Sequence, residues 1–324
     1  MRELCQISNT PFLDLFPEIT PYASGFLEVS HGHEMYWEQS GNPDGVPIVF
    51  LHGGPGAGTS PMHRRFFDPE HYRIIVFDQR GCGRSTPLGC IDHNTTADLV
   101  ADMESLRTHL SLDQWILFGG SWGSTLALSY ALKHANRCAG MILRGVFLCE
   151  QHEIDWFMSG IHTVFPEAWQ QFAGLFEKEE GTTLLEQYYA ALTGDDEKLQ
   201  MQAAIRWTLY EGACALLLPN YETITTDEQK RHALTIAKIE AHYFTNEVIA
   251  PQDSIMKQVD AFRHVPSVII NGRYDMICPI ETAYLLHQEW PEADYVVVPD
   301  AGHSAFDPPL RSRLIQATEN FKTL

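Results

Sequence analysis

The sequence predicts an α/β protein: a mostly parallel sheet flanked by helices, interrupted by an all-helical insertion. Three observations predict it. Short apolar runs alternate with helical patterns near both ends of the 324-residue chain, the rhythm of helices covering a parallel sheet. Between about residues 147 and 250 the strand-like runs vanish, and helical patterns with Trp156, Phe157, Phe165, Trp169, Phe172 and Phe176 take their place. The run at 115–118 (WILF) empties through a glycine-flanked serine into the apolar stretch 124–132, which gives a buried strand, a sharp turn and a buried helix. The expected organisation is a core of residues 1–146 and 251–324 with a helical cap at 147–250.

Taken in order, the strands of the first half fall at 26–29 (FLEV), 48–51 (IVFL), 73–77 (RIIVF), 115–118 and 140–143 (GMIL). The second half adds 268–270 (VII) and 296–298 (VVV), then a closing helix. The turn after the fourth strand is Gly119-Gly120-Ser121-Trp122-Gly123, a G-x-S-x-G pattern in the strand–turn–helix setting of a nucleophile elbow. A plain Gly/Ser turn would share the letters but not the setting.

A serine is a weak nucleophile alone, so the pattern calls for a base, an orienting acid and oxyanion donors. Asp275 follows the strand at 268–270 and His303 follows the one at 296–298, so Ser121, Asp275 and His303 stand in the chain order of an α/β-hydrolase fold. Alone, the Asp reads equally as a turn cap and the His as a surface loop residue. The strand at 48–51 empties into His52-Gly53-Gly54-Pro55-Gly56, where glycines let backbone N–H groups approach a substrate. The amide of Trp122 is one expected donor and that of Gly54 or Gly53 the other, because Pro55 has no N–H.

Within the helical insertion, Glu211 falls on the apolar face through Ala204, Trp207, Ala215 and Leu218. Glu240 falls on the face through Ile236, Ala237, Tyr243 and Phe244. Inward carboxylates are costly without a partner. One reading pairs them with an arginine such as Arg206 or Arg144; the other has both bind a cationic group of the substrate, for which a peptide's free N-terminal amine is suited.

Composition narrows the classes. With 22 basic and 42 acidic residues the formal charge is −20, which disfavours nucleic-acid binding. It serves either solubility or the attraction of cationic ligands. No apolar stretch nears the roughly 18 residues of a membrane span, and the N-terminus shows no secretory pattern. Seven scattered cysteines read as reduced thiols, so the expected setting is cytoplasmic. The fifteen histidines include no H-E-x-x-H cluster and there is no dinucleotide fingerprint. Hydrolysis with no metal and no cofactor is therefore expected.

HGGPG at 52–56, DQRGCGRS at 78–85, GGSWGS at 119–124, GRYDMICP at 272–279 and AGHSAFDPP at 301–309 together give a resemblance over nearly the whole chain. It resembles the prolyl aminopeptidase (proline iminopeptidase) family of α/β-hydrolase-fold serine peptidases. The resemblance implies release of N-terminal proline from small peptides, with Ser121 as nucleophile, Asp275 as orienting acid and His303 as general base. It also implies that Glu211 and Glu240 hold the imino group, that Phe147 lines the proline-ring pocket, and that Gly54–Pro55 is cis; Gly53 is counted with the substrate-binding residues. The stretch Leu148-Cys149-Glu150-Gln151-His152 departs from the family's arginine-rich pattern, which bears on fine specificity. The expected partner is a small peptide, with no nucleic acid and no membrane; the sequence sets no oligomeric state. An esterase or amidase of the same fold would share the triad but have no use for inward carboxylates. A non-catalytic ligand receptor on this scaffold would leave Ser121 unreactive.

Overall fold

A computed structural model describes residues 12–177, 179–218 and 223–323. Eight strands join in one sheet: β1 (Ala23–Glu28), β2 (Glu34–Gly41), β3 (Val46–Leu51), β4 (Tyr72–Phe77), β5 (Trp115–Ser121), β6 (Cys138–Val146), β7 (Ser267–Gly272) and β8 (Asp294–Val298). Their order is β1-β2-β4-β3-β5-β6-β7-β8. The β1–β2 and β2–β4 pairs are antiparallel, and every pair from β4–β3 to β7–β8 is parallel.

The parallel strands are apolar on both faces because each face meets helices. Residues alternate between the two sides, as a pleated strand requires. Val49, Ile75 and Leu117 pack with Leu99 and Leu106 of α1 (Thr96–His109), Leu126 and Tyr130 of α2 (Trp122–His134), and Leu286 of the helix Ile280–Glu289. Ile48, Ile74, Ile116 and Phe118 pack on the opposite side with Leu310 and Leu314 of the C-terminal helix Pro308–Asn320. Helix α1 is fixed at its start by a capping box in which Thr95 and Asp98 each bond the other's backbone N–H.

Between β6 and β7 the described residues form the α-helices α3 (Gln151–Met158), α4 (Pro166–Ala173), α5 (Leu184–Thr193), α6 (Glu197–Ala215) and α7 (Asp227–Asn246). Trp207 of α6 stands at their centre, buried against Phe157, Phe172, Tyr188 and Phe244. The face drawn through Leu218 does not extend that far: α6 ends at Ala215, and Leu218 is 82 % exposed.

Strand β2 is the element that the apolar runs do not reveal. Its sequence, EMYWEQSG, buries polar residues. Glu38 is buried because Arg64 grips both of its oxygens, at 2.6 and 2.9 Å, and Arg84 reaches it at 3.2 Å. A paired carboxylate can sit in a core strand where an unpaired one could not.

Candidate active site

The turn at Ser121 ends β5 and starts α2. Ser121 has φ 57° and ψ −129°, a region that non-glycine residues rarely occupy and that costs about 1–3 kcal/mol. The conformation lifts Oγ off the carboxyl end of the sheet. It also demands close backbone contacts: a Cβ on Gly123 would lie 2.2 Å from the carbonyl oxygen of Leu51. Trp122 is the first residue of α2, so its N–H has no partner within the helix and carries the positive end of the helix dipole. The glycine loop after β3 adjoins this turn, since a Cβ on Gly53 would lie 3.2 Å from Cβ of Ser121. The Gly54–Pro55 peptide is cis, and Gly54 N–H meets no backbone acceptor among the described residues.

A strut fixes the two halves of this donor set. The indole N–H of Trp122 donates to Oε1 of Gln79 at 2.9 Å, and Nε2 of Gln79 donates to the carbonyl of His52 at 2.9 Å. The backbone N–H of Gln79 donates to Nε2 of His52 at 3.0 Å. Gln79 lies in the DQRG stretch but was not singled out from sequence; only its place beside that motif could have signalled it.

Asp275 sits just past β7 and is buried. Its Oδ1 accepts from the backbone N–H groups of Ile277 and Cys278 at 3.1 and 2.8 Å, and its Oδ2 lies 2.8 Å from Nδ1 of His303. A ring nitrogen facing a carboxylate carries the proton, so Nε2 holds a lone pair. That lone pair faces Nη1 of Arg144 at 3.0 Å, and the same Nη1 donates to the carbonyl of His303 at 3.0 Å. The polar neighbour of Ser121 Oγ is the Cys278 sulfur at 3.9 Å. Burial pushes the Cys278 thiol well above its ordinary range and so keeps it protonated. The structure thus brings Asp275 and His303 into contact and places both at the Ser121 end of the sheet, with Nη1 of Arg144 against Nε2 of His303.

Glu211 and Glu240 come from neighbouring helices and meet. Burial raises both carboxyls above their ordinary range, and for Glu240 the charge of Glu211 adds to it, which favours one proton shared between them. Oε2 of Glu240 also accepts from the Trp207 indole at 2.6 Å. Neither arginine considered as a partner reaches them: Arg206 bonds the carbonyl of Gln171 and Arg144 bonds His303. The two carboxyls line a small space with Phe147, Phe157, Phe244 and Ser121. Phe147 and Phe244 have ring centroids 5.9 Å apart, and the space between these walls is only about 10 Å³. A larger cleft of about 430 Å³ opens from it, lined by Gly53, Gly54, Ser121, Glu211, Arg144, His303, Phe50 and Phe306 among others.

Residues 46–309 match the model of the alpha/beta hydrolase fold family. The chain is 50 % identical over 313 residues to a proline iminopeptidase of Arabidopsis thaliana, covering 96 % of this chain and 82 % of that one. It is 45 % identical over 309 residues to a proline iminopeptidase of Xanthomonas citri, covering 95 % and 99 %. The chain belongs to the proline iminopeptidase family. Its fold is shared more widely: a bromoperoxidase structure from Bacillus anthracis superposes with a TM-score of 0.65 at 19 % identity, over 93 % of this chain and 100 % of that one.

Within this iminopeptidase-family chain, two further residues at the site escaped the sequence analysis. Glu153 lines the small space and accepts from the N–H groups of Leu148 and Glu150, both at 3.0 Å; burial raises its carboxyl to about 7. Arg144 was weighed only as a partner for the glutamates. The signal was Gly120, paired with it across β5 and β6: a Cβ there would lie 2.5 Å from the guanidinium, so the second glycine of GGSWGS makes room for that plane.

Proposed function

We propose that this protein is a serine exopeptidase that releases N-terminal proline from small peptides. The observation that carries it is the pair of buried Glu240 and half-buried Glu211, without a cationic partner among the described residues, opening beside Ser121 among phenylalanines. A secondary ammonium entering there takes the place of the shared proton, which leaves to solvent, and donates one N–H to each carboxylate, while Phe147 and Phe244 enclose the ring. Since the space is only about 10 Å³, the ring must displace those walls on entry. The relatives named proline iminopeptidase support the same substrate.

His303 takes the Ser121 proton as Oγ attacks the prolyl carbonyl, with the amides of Trp122 and Gly54 holding the oxyanion. His303 then gives its proton to the leaving nitrogen, Asp275 holding the ring in the required tautomer. Water enters and loses a proton to His303 as its oxygen attacks the acyl carbon; the C–Oγ bond breaks, His303 returns that proton to Oγ, and proline leaves. The helices between residues 147 and 250 act as the cap that closes the amine end, so no residue can precede the proline. The chain has no described helix long and apolar enough to cross a membrane, and the working setting is the cytoplasm.

Mass analysis of products from a pentapeptide beginning with proline tests this. Expected is free proline plus one intact tetrapeptide, with no internal fragment and no cleavage of the N-acetylated peptide. Internal fragments, or cleavage of the blocked peptide, would defeat it.

A further inference from the structure

Arg144 makes no direct ion pair among the described residues; its charge is felt by Asp275 only across the His303 ring. It meets no carboxylate within the 4.0 Å of an ion pair among the described residues, and its bonds go to the Nε2 and carbonyl of His303. It is also the only Lys or Arg among the described residues lining the 430 Å³ cleft, in a chain of formal charge −20. Burial holds His63, the neighbouring histidine of that wall, down at about 4, so it is neutral at working pH. Arg144 borders the large cleft and not the small space around Glu240. Glu240 therefore belongs to the small space and Arg144 to the cleft, with Ser121 and Glu211 bordering both.

We propose that Arg144 docks the free C-terminal carboxylate of a prolyl dipeptide and thereby makes dipeptides the preferred substrates. The proposal rests on the proline-releasing reading above. Its geometric basis is the leaving nitrogen, which must come within hydrogen-bond reach of His303 Nε2 to be protonated. In a dipeptide the carboxylate is one Cα from that nitrogen, two bonds of about 1.5 Å each. Nη1 of Arg144 is 3.0 Å from the same Nε2, so the carboxylate arrives where the guanidinium already is. A tripeptide puts its carboxylate about 3.5 Å farther along and presents an uncharged amide at that place. A guanidinium suits the task because its planar fork meets both carboxylate oxygens. Turning toward the carboxylate also withdraws Nη1 from Nε2, which frees the lone pair that must accept the Ser121 proton.

The test compares kcat/KM for Pro-Gly, Pro-Gly amide and Pro-Gly-Gly, with prolyl 4-nitroanilide as control, in the wild type and in Arg144→Met and Arg144→Lys. Expected in the wild type is a preference of about tenfold or more for the acid over the amide, with the tripeptide near the amide. Arg144→Met brings the acid-to-amide ratio to about one, and Arg144→Lys restores part of it. Each ratio is taken within one variant, so a change in overall turnover cancels, and the wild-type comparison needs no variant. Equal rates for acid and amide in the wild type, or a ratio that survives in Arg144→Met, would overturn the proposal alone. Failure of the wild type to hydrolyse the prolyl anilide would overturn the proline-releasing reading, and this proposal with it.

Discussion

Nε2 of His303 faces Nη1 of Arg144, 3.0 Å away, and not Ser121. Nδ1 is already committed to Asp275 at 2.8 Å, so the Asp275–His303 contact is made while Nε2 is held away from Ser121. One lone pair cannot serve the guanidinium and the Ser121 hydroxyl together. In a covalent adduct of Ser121 with a prolyl boronate, the guanidinium is therefore expected to have left Nε2, which then lies within about 3.2 Å of the boronate oxygens or Oγ. A crystal structure of the adduct with the Arg144–His303 contact intact would contradict this.

The Glu211–Glu240 pair sets activity against stability. Burial raises both carboxyls, so between the ordinary value of 4.5 and the raised one the folded protein keeps protons that the unfolded chain has lost. Stability contributed by the pair is therefore full in acid and falls as pH rises through that window. Glu240→Gln has no proton to lose and retains an oxygen for the Trp207 indole. Thermal unfolding should show it more stable than the wild type by about 1–3 kcal/mol at pH 8, the gap closing toward pH 4.5. Its kcat/KM on free-amine substrates should fall at least about 100-fold, since the ammonium loses a counter-charge. Equal unfolding temperatures at pH 8 would count against the shared proton.

Substrate affinity should follow the same titration with the opposite benefit. As pH falls the pair becomes neutral and a cation gains less by entering, so KM for prolyl anilides should rise toward acid pH in the wild type. In Glu211→Gln this rise should flatten, because one of the two titrating groups is gone. A pH–KM profile unaltered by the substitution would mean that the pair does not meet the amine.

Gln79 ties Trp122 of the elbow to His52 of the glycine loop through two bonds of 2.9 Å. Gln79→Ala leaves Ser121 and His303 in place and, on the proposed mechanism, loosens the amides of Trp122 and Gly54 against each other. Steady-state kinetics should show kcat down about 10- to 100-fold with KM changed by less than about threefold, the mark of a contact used in the transition state. Loss confined to KM would assign Gln79 to ground-state binding instead.

Gly123→Ala tests the backbone of the elbow itself. Its Cβ would lie 2.2 Å from the Leu51 carbonyl, a backbone atom of the central sheet with no rotamer to relieve the clash. Urea unfolding should register a loss of about 3 kcal/mol or more. A loss below about 1 kcal/mol would mean that the contact between α2 and β3 is looser than described.

The parallel centre of the sheet was legible because β3, β5, β6 and β7 are buried on both faces and so read as unbroken apolar runs. Strand β2 was not, because its burial depends on Arg64 and Arg84, whose side chains come from outside the strand. The same contrast holds at the site. Ser121, Asp275 and His303 announce themselves by following strands, and Glu211 and Glu240 by breaking apolar helix faces. Gln79, Glu153 and Arg144 interrupt no pattern; their positions follow from contacts across the fold, such as the guanidinium lying over Gly120, that spacing along the chain does not record.

The most direct measurement is kcat/KM at pH 8 for prolyl 4-nitroanilide against N-acetylprolyl 4-nitroanilide. Acetylation removes the charge and extends the chain into the closed end, so leaves the Glu211–Glu240 pair unpaired and blocked. A preference of at least about 1,000-fold for the free amine is expected. Comparable rates on the two substrates would contradict the amine anchor and make the protein a general acyl hydrolase of the same fold.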